Sequence, residues 1–157
     1  MNVYDLLKQL NISYNEISHP PVFTMEDVYR EKLSEKIEGR ECKVLFVKYK
    51  KRYYLVLLPE EKRADLKKIA SAAGEPKLSF GKEESLYEIL KLHSGAVTPL
   101  AVIYDKENVV KVVLDSSLKD NKLLMHPCDN TKTVSLSYED LLAYIKASGH
   151  EYIEISM

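Results

Sequence analysis

The stretch that most constrains the fold runs from Cys42 to Leu58. Two runs dense in aliphatic and aromatic residues, Cys42 to Tyr49 and Arg52 to Leu58, are separated only by Lys50-Lys51. Runs of this composition joined by two residues read as a β-hairpin, even without an Asn-Gly turn. Pro59 ends the second run, because it has no amide hydrogen to give to a ladder. Any fold for this chain must therefore be built on a sheet that contains this antiparallel pair.

Helices and further strands flank the hairpin. Val3, Leu6, Leu7 and Leu10 recur at helical spacing, which predicts a short amphipathic helix over residues 2–10. Ile12 to Ile17 alternates apolar with polar residues, as a half-buried strand does, and His19-Pro20-Pro21 ends it. Thr24, with Glu26 and Asp27 behind it, marks a helix start that runs to Arg30 and extends through Leu33 and Ile37. Helices are also predicted over Ala64 to Ala73, with Gly74 as its stop, over Glu83 to Leu92 and over Tyr138 to Ala147. Short strands are predicted at Lys77 to Phe80, Leu100 to Tyr104, Val109 to Leu114, Thr133 to Leu136 and Tyr152 to Ile155, and Leu123 to Met125 is a further apolar run. Hairpins mixed with helices, with no repeat or linker, argue for one α+β domain over residues 1–157 around a mixed, largely antiparallel sheet.

Composition narrows the function. The 157 residues are 45% hydrophobic and 30% charged with a net charge of −1, so the chain is globular and lacks the polycationic signature of a nucleic-acid packager. A transient nucleic-acid substrate remains compatible, because a local basic patch suffices. The N-terminal residues lack the pattern of a signal peptide, and no apolar run reaches membrane-spanning length. Cys42 and Cys128 form neither a disulfide framework nor a zinc spacing, so both are expected to be reduced thiols of a cytoplasmic protein, with no metal.

Four stretches contain residues suited to chemistry. Ser94-Gly95-Ala96-Val97-Thr98-Pro99 is a small-residue loop between helix and strand, fit either to connect them or to present backbone N–H groups to a ligand. Lys43 opens an apolar strand, where its ammonium must reach solvent or a ligand phosphate or carboxylate. The stretch from His126 to Thr133, with Asn130 and Thr131, is too polar for a core and reads as a turn or a pocket wall. The hairpin tip, Lys48, Lys50, Lys51 and Arg52, is basic and flanked by Tyr49, Tyr53 and Tyr54, which suits either a solvated turn or contacts to an RNA backbone. No Ser-His-Asp or Cys-His arrangement is visible.

Taken in order, His19-Pro20, Thr24, Lys43-x-Leu-Phe, Tyr53-Tyr54-Leu55-Val56, Gly95-x-x-x-Pro99 and His126-Pro127 with Asn130 and Thr131 resemble the YbaK-type aminoacyl-tRNA deacylases, relatives of the editing domain of bacterial prolyl-tRNA synthetase. The resemblance covers essentially the whole chain and rests on the ordered set, not on any one motif. It implies a barrel-like core flanked by helices and a cofactor-free hydrolase that acts in trans on mischarged tRNA(Pro). Freestanding members of this layout release alanine from tRNA(Pro). It implies that Lys43 contacts the terminal adenosine phosphate region or the substrate and is needed for activity, that the backbone of the Gly95–Pro99 loop positions the ester and the attacking water, and that His126 helps set the size and polarity of the pocket. Thr24, Ala96, Val97, Thr98, Asn130 and Thr131 would be its neighbours, with Gly95 and Ala96 at the narrow end. Mischarged tRNA is the implied partner, with prolyl-tRNA synthetase a candidate second one and no membrane involved. One position departs from the pattern: Val44 stands where related freestanding editors commonly have asparagine or threonine, which opens the amino-acid preference to Cys-tRNA(Pro).

Overall fold

One strand in the middle of the sheet is apolar from Tyr54 to Leu58 because both of its faces are covered. In the structure, a computed structural model that describes residues 1–157, the hairpin strands are β2 (Arg40–Tyr49) and β3 (Arg52–Pro59), with Tyr49 opposite Arg52 and Lys43 opposite Leu58. Leu55 and Leu57 point to one side of β3, and Tyr54, Val56 and Leu58 to the other; all five are buried. A strand packed on both faces loses the alternation of a half-buried one and reads as a continuous apolar run.

The remaining strands are β1 (Asn15–Ser18), β4 (Ser79–Phe80), β5 (Val110–Asp115), β6 (Lys122–Met125), β7 (Lys132–Ser137) and β8 (Tyr152–Ile155). Pairing runs β1-β7-β6-β2-β3-β5-β8, with β4 beside the far end of β2. The β1–β7, β6–β7, β2–β3 and β2–β4 pairs are antiparallel, and β2–β6, β3–β5 and β5–β8 are parallel. This is the mixed α+β sheet that the sequence predicts.

The larger core lies on the Leu55/Leu57 face, under α1 (Val3–Gln9), α5 (Glu83–Leu90), α6 (Tyr138–Ala147) and a 3₁₀ helix at Pro99–Tyr104. The opposite face packs on α4 (Leu66–Ala73) through Ile69 and Ala70. A small separate cluster, Val22, Val28 and Leu33, holds together α2 (Met25–Glu31) and α3 (Leu33–Lys36). The helix termini follow local chemistry: Asn2 and Asp5 form a capping box on α1, Thr24 caps α2, and Gly74 closes α4 in the left-handed region at φ +74°.

Two predicted elements change. Leu100 to Tyr104 is not a strand. Pro99 occupies the first turn of the 3₁₀ helix, Thr98 caps it by accepting from the Leu100 amide (3.3 Å), and Leu100, Ala101 and Val102 are all buried, so a short apolar run alone could not distinguish helix from strand. The strand predicted from Ile12 begins only at Asn15, because the Ile12 amide instead donates to the carbonyl of Leu7 (3.0 Å) and closes α1.

A buried carboxylate fixes the hairpin tip to the α4 side. Glu75 accepts from Arg52 Nε and Nη2 (2.7 Å each) and from the Tyr54 hydroxyl (2.6 Å). The Arg52 hydrogen bonds hold its carboxyl well below the usual range, at about 2. A carboxyl depressed on folding contributes stability above its unfolded value, and this contribution disappears as pH falls towards about 2. Glu75→Gln is therefore expected to cost about 2 kcal/mol at neutral pH. It should also flatten the acid limb of a thermal-melt series between pH 4.5 and 2; an unchanged limb would assign the acid sensitivity to other groups.

Candidate active site

The sheet forks at β2. On the edge away from β3, β2 pairs with β6 only at Arg40 and Glu41, and it gains a new partner, β4, only at Val47 and Lys48. Over Cys42 to Phe46 neither strand continues that edge. A cavity of about 190 Å³ opens there, the larger part of its lining apolar. Glu41, Cys42, Lys43 and Val44 form one wall, Leu124, Met125, His126 and Thr133 another, and Gly95 and Val97 a third. Val22, Phe23, Thr24, Met25, Val28 and Leu33, from α2, α3 and the segment before them, close the roof.

The Gly95 loop is pinned at both ends and unsatisfied in the middle. Glu83, in the first turn of α5, accepts from the Ser94 amide (3.0 Å) and hydroxyl, and those bonds hold its carboxyl low. Thr98 and Pro99 are buried at the start of the 3₁₀ helix. Between these anchors the Ala96 amide donates to His93 (3.2 Å), while the amides of Gly95 and Val97 have no acceptor within the protein. Gly95 has φ +92°, and a Cβ there would lie 3.0 Å from Phe23 Cα and 3.1 Å from its carbonyl oxygen. Only glycine allows this close approach of loop to roof.

Lys43 is half-buried on the cavity wall and lies within 4.0 Å of no acidic group, nor does its ammonium make any hydrogen bond. His126 donates from Nδ1 to the carbonyl of Lys132 (2.8 Å), the only role a carbonyl allows, which leaves Nε2 as an acceptor without a protein partner. Burial lowers the His126 pKa, reinforced by nearby His19, against the opposing Lys132 bond, so the ring is neutral at pH 7. His19 is itself buried, bonded through Nδ1 to Pro20 O and through Nε2 to the Thr133 hydroxyl (2.8 Å each).

Thus Thr24, Lys43, Gly95, Val97 and His126 meet around one cavity, as their spacing along the chain alone could not establish. Other expected neighbours lie elsewhere. Ala96 sits between two lining residues and does not itself line the cavity, which this loop reaches through Gly95 and Val97. Thr98 and Pro99 serve the 3₁₀ helix. Asn130 donates to the carbonyl of Val22 (3.1 Å) and accepts from its amide through its own carbonyl (3.2 Å), while Thr131 bonds Asp129 and receives the His19 amide (2.8 Å); both tie the roof to the His126 loop from behind. The hairpin-tip cations are about 20 Å along β2 from Lys43. Lys50 and Arg52 lie against the Tyr49 ring (5.4 Å each) and Lys48 against Tyr53 (6.0 Å), and Arg52 is already engaged by Glu75. Sequence reasoning passed over Glu41 and Phe23. Thr133, which closes the polar stretch that begins at His126, lies next to His19 in space and lines the cavity.

Cys42 lines the cavity but is not suited to be a nucleophile. Burial pushes its thiol up to about 12, as it does that of Cys128. Cys42→Ala is expected to keep hydrolytic activity, measured as ester release; an inactive but folded variant would restore a thiol mechanism.

The aminoacyl-tRNA editing domain matches residues 19–144. The chain belongs to that family. Over 154 residues this editing domain is 38% identical to the prolyl-tRNA editing protein ProX of Acetoanaerobium sticklandii, covering 96% of this chain and 93% of that one. It is 35% identical to the prolyl-tRNA synthetase associated domain-containing protein 1 of Bos taurus, covering 94% and 88%. Two solved structures share the fold: a hypothetical protein (TM-score 0.76, 20% identity, 96% and 95% covered) and a proposed trans-editing enzyme for prolyl-tRNA synthetase (TM-score 0.74, 19% identity, 99% and 94% covered).

Proposed function

We propose that this editing domain hydrolyses the ester of mischarged tRNA(Pro) in trans, with Ala-tRNA(Pro) as its substrate. The observation that carries this reading is the pair of unsatisfied amides at Gly95 and Val97, which share one small cavity with the unpaired ammonium of Lys43. Attack on the aminoacyl carbonyl places negative charge on oxygen, and preorganised N–H donors stabilise that charge. Lys43 holds the phosphate-bearing 3′ end, so positioning supplies part of the rate. Water is the nucleophile: its oxygen bonds the carbonyl carbon, the ester C–O bond breaks, and the ribose oxygen leaves with a proton. His126, neutral and bare at Nε2, gives that region of the wall a hydrogen-bond acceptor.

Selection against proline is steric. One methylene in an apolar pocket is worth only about 1–3 kcal/mol, so steric exclusion of the pyrrolidine ring discriminates better than any added attraction. Val44, with no hydrogen-bonding group, makes Cys-tRNA(Pro) a second candidate, since its side chain asks little polar recognition of that wall. Prolyl-tRNA synthetase is the protein partner that such a role implies, and the cytoplasm its place. No helix is long and apolar enough to cross a membrane. The test is release of free alanine from Ala-tRNA(Pro) by purified protein, against a Lys43→Ala control.

A further inference from the structure

Apart from Lys43, the only charged side chain lining the cavity is Glu41. The two are separated by one residue on β2, so both side chains leave the same face of the strand, about 7 Å apart along it. They do not neutralise each other: Glu41 lies within 4.0 Å of no cation, and its carboxylate accepts no hydrogen bond. The neighbouring acids are occupied, Glu60 by the Tyr29 hydroxyl and Glu61 by Arg40 (2.7 Å). Glu41 is thus a half-buried carboxylate without a donor, and burial, then nearby Glu60, raises its pKa. Such a group is under-compensated until a cation reaches it.

An aminoacyl ester on a tRNA end carries opposite charges: an α-ammonium beside the carbonyl and, across the ribose, a phosphate. We infer that Glu41 is a substrate-binding residue that receives the α-ammonium of the aminoacyl group while Lys43 receives the phosphate side. This assignment rests on the deacylase reading and deepens it. Two opposite charges on one strand face fix the direction in which the ester lies, turning its carbonyl towards the Gly95–Val97 amides, and they select esters with a free amine. The apolar remainder of the wall then has only to measure the side chain.

The experiment compares Ala-tRNA(Pro) with lactyl-tRNA(Pro), in which a hydroxyl replaces the α-ammonium at nearly equal size. Wild-type protein should cleave the alanyl ester roughly 10- to 100-fold faster than the lactyl ester. Glu41→Gln should lose a similar factor on the alanyl ester and little on the lactyl ester, so that the preference collapses. Glu41→Asp should restore part of it. Equal losses on both esters would make Glu41 a structural residue, and a preference that survives in Glu41→Gln would assign amine recognition elsewhere; either overturns the inference while leaving the deacylase reading intact. Cleavage of neither ester by wild-type protein would instead overturn the deacylase reading, and the Glu41 assignment with it.

Discussion

Lys43→Ala is expected to lower kcat/KM for Ala-tRNA(Pro) by about 10²-fold or more while leaving the melting temperature nearly unchanged. Lys43 is a half-buried cation with no acidic partner, so its removal breaks no ion pair or hydrogen bond within the protein, and the loss falls on the substrate. Its stem leaves β2 opposite Leu58, within a fully paired ladder, so the strand itself is retained. Lys43→Arg should rescue poorly, because a planar fork is not equivalent to a compact ammonium in a small cavity. Deacylation by Lys43→Ala at the wild-type rate would remove this residue from the mechanism.

Gly95→Ala should have the other large effect, and through the backbone alone. At φ +92° an L side chain is strained, and the new Cβ would meet the Phe23 backbone at 3.0–3.1 Å, so loop and roof must separate. The amides of Gly95 and Val97 then leave their positions. Losing one such donor costs roughly 10²–10³ in kcat, and that range is the expected loss here. Ala96→Ser, one position along, should be nearly silent, because Ala96 does not line the cavity. Similar kinetics for Gly95→Ala and wild type would show that the loop backbone takes no part in the chemistry.

How much of this was legible in the chain follows from the kind of signal each feature carries. The β2–β3 hairpin was plain because both of its strands are long and apolar, and α6 because Leu141 and Ile145 recur at helical spacing beneath a Ser137 cap. Leu100 to Tyr104 misled because a buried 3₁₀ turn and a buried strand share the same apolar run. The site was legible only as an ordered set of residues. Nothing in the sequence says that β2 parts from β6 after Glu41, since that depends on where β4 rejoins at Val47, and the fork is what creates the cavity. Glu41 was invisible for the same reason: at the head of a strand an acid reads as solvated until the roof of α2 and α3 is placed over it. Arg52 shows the opposite case, a residue that looked free for RNA and whose guanidinium is held by Glu75, 23 positions away.

Cleavage by this cavity of the ester of a small amino acid on tRNA(Pro) underlies every role assigned above. It is tested most directly by incubating the purified protein with a panel of Ala-, Cys- and Pro-tRNA(Pro) and following free amino acid against time. Rapid release of alanine, with prolyl-tRNA(Pro) left intact and the alanine rate lost in Lys43→Ala, is the expected result. Binding of the charged tRNAs with none of the three esters cleaved would contradict it and make the domain a non-catalytic reader of charged tRNA.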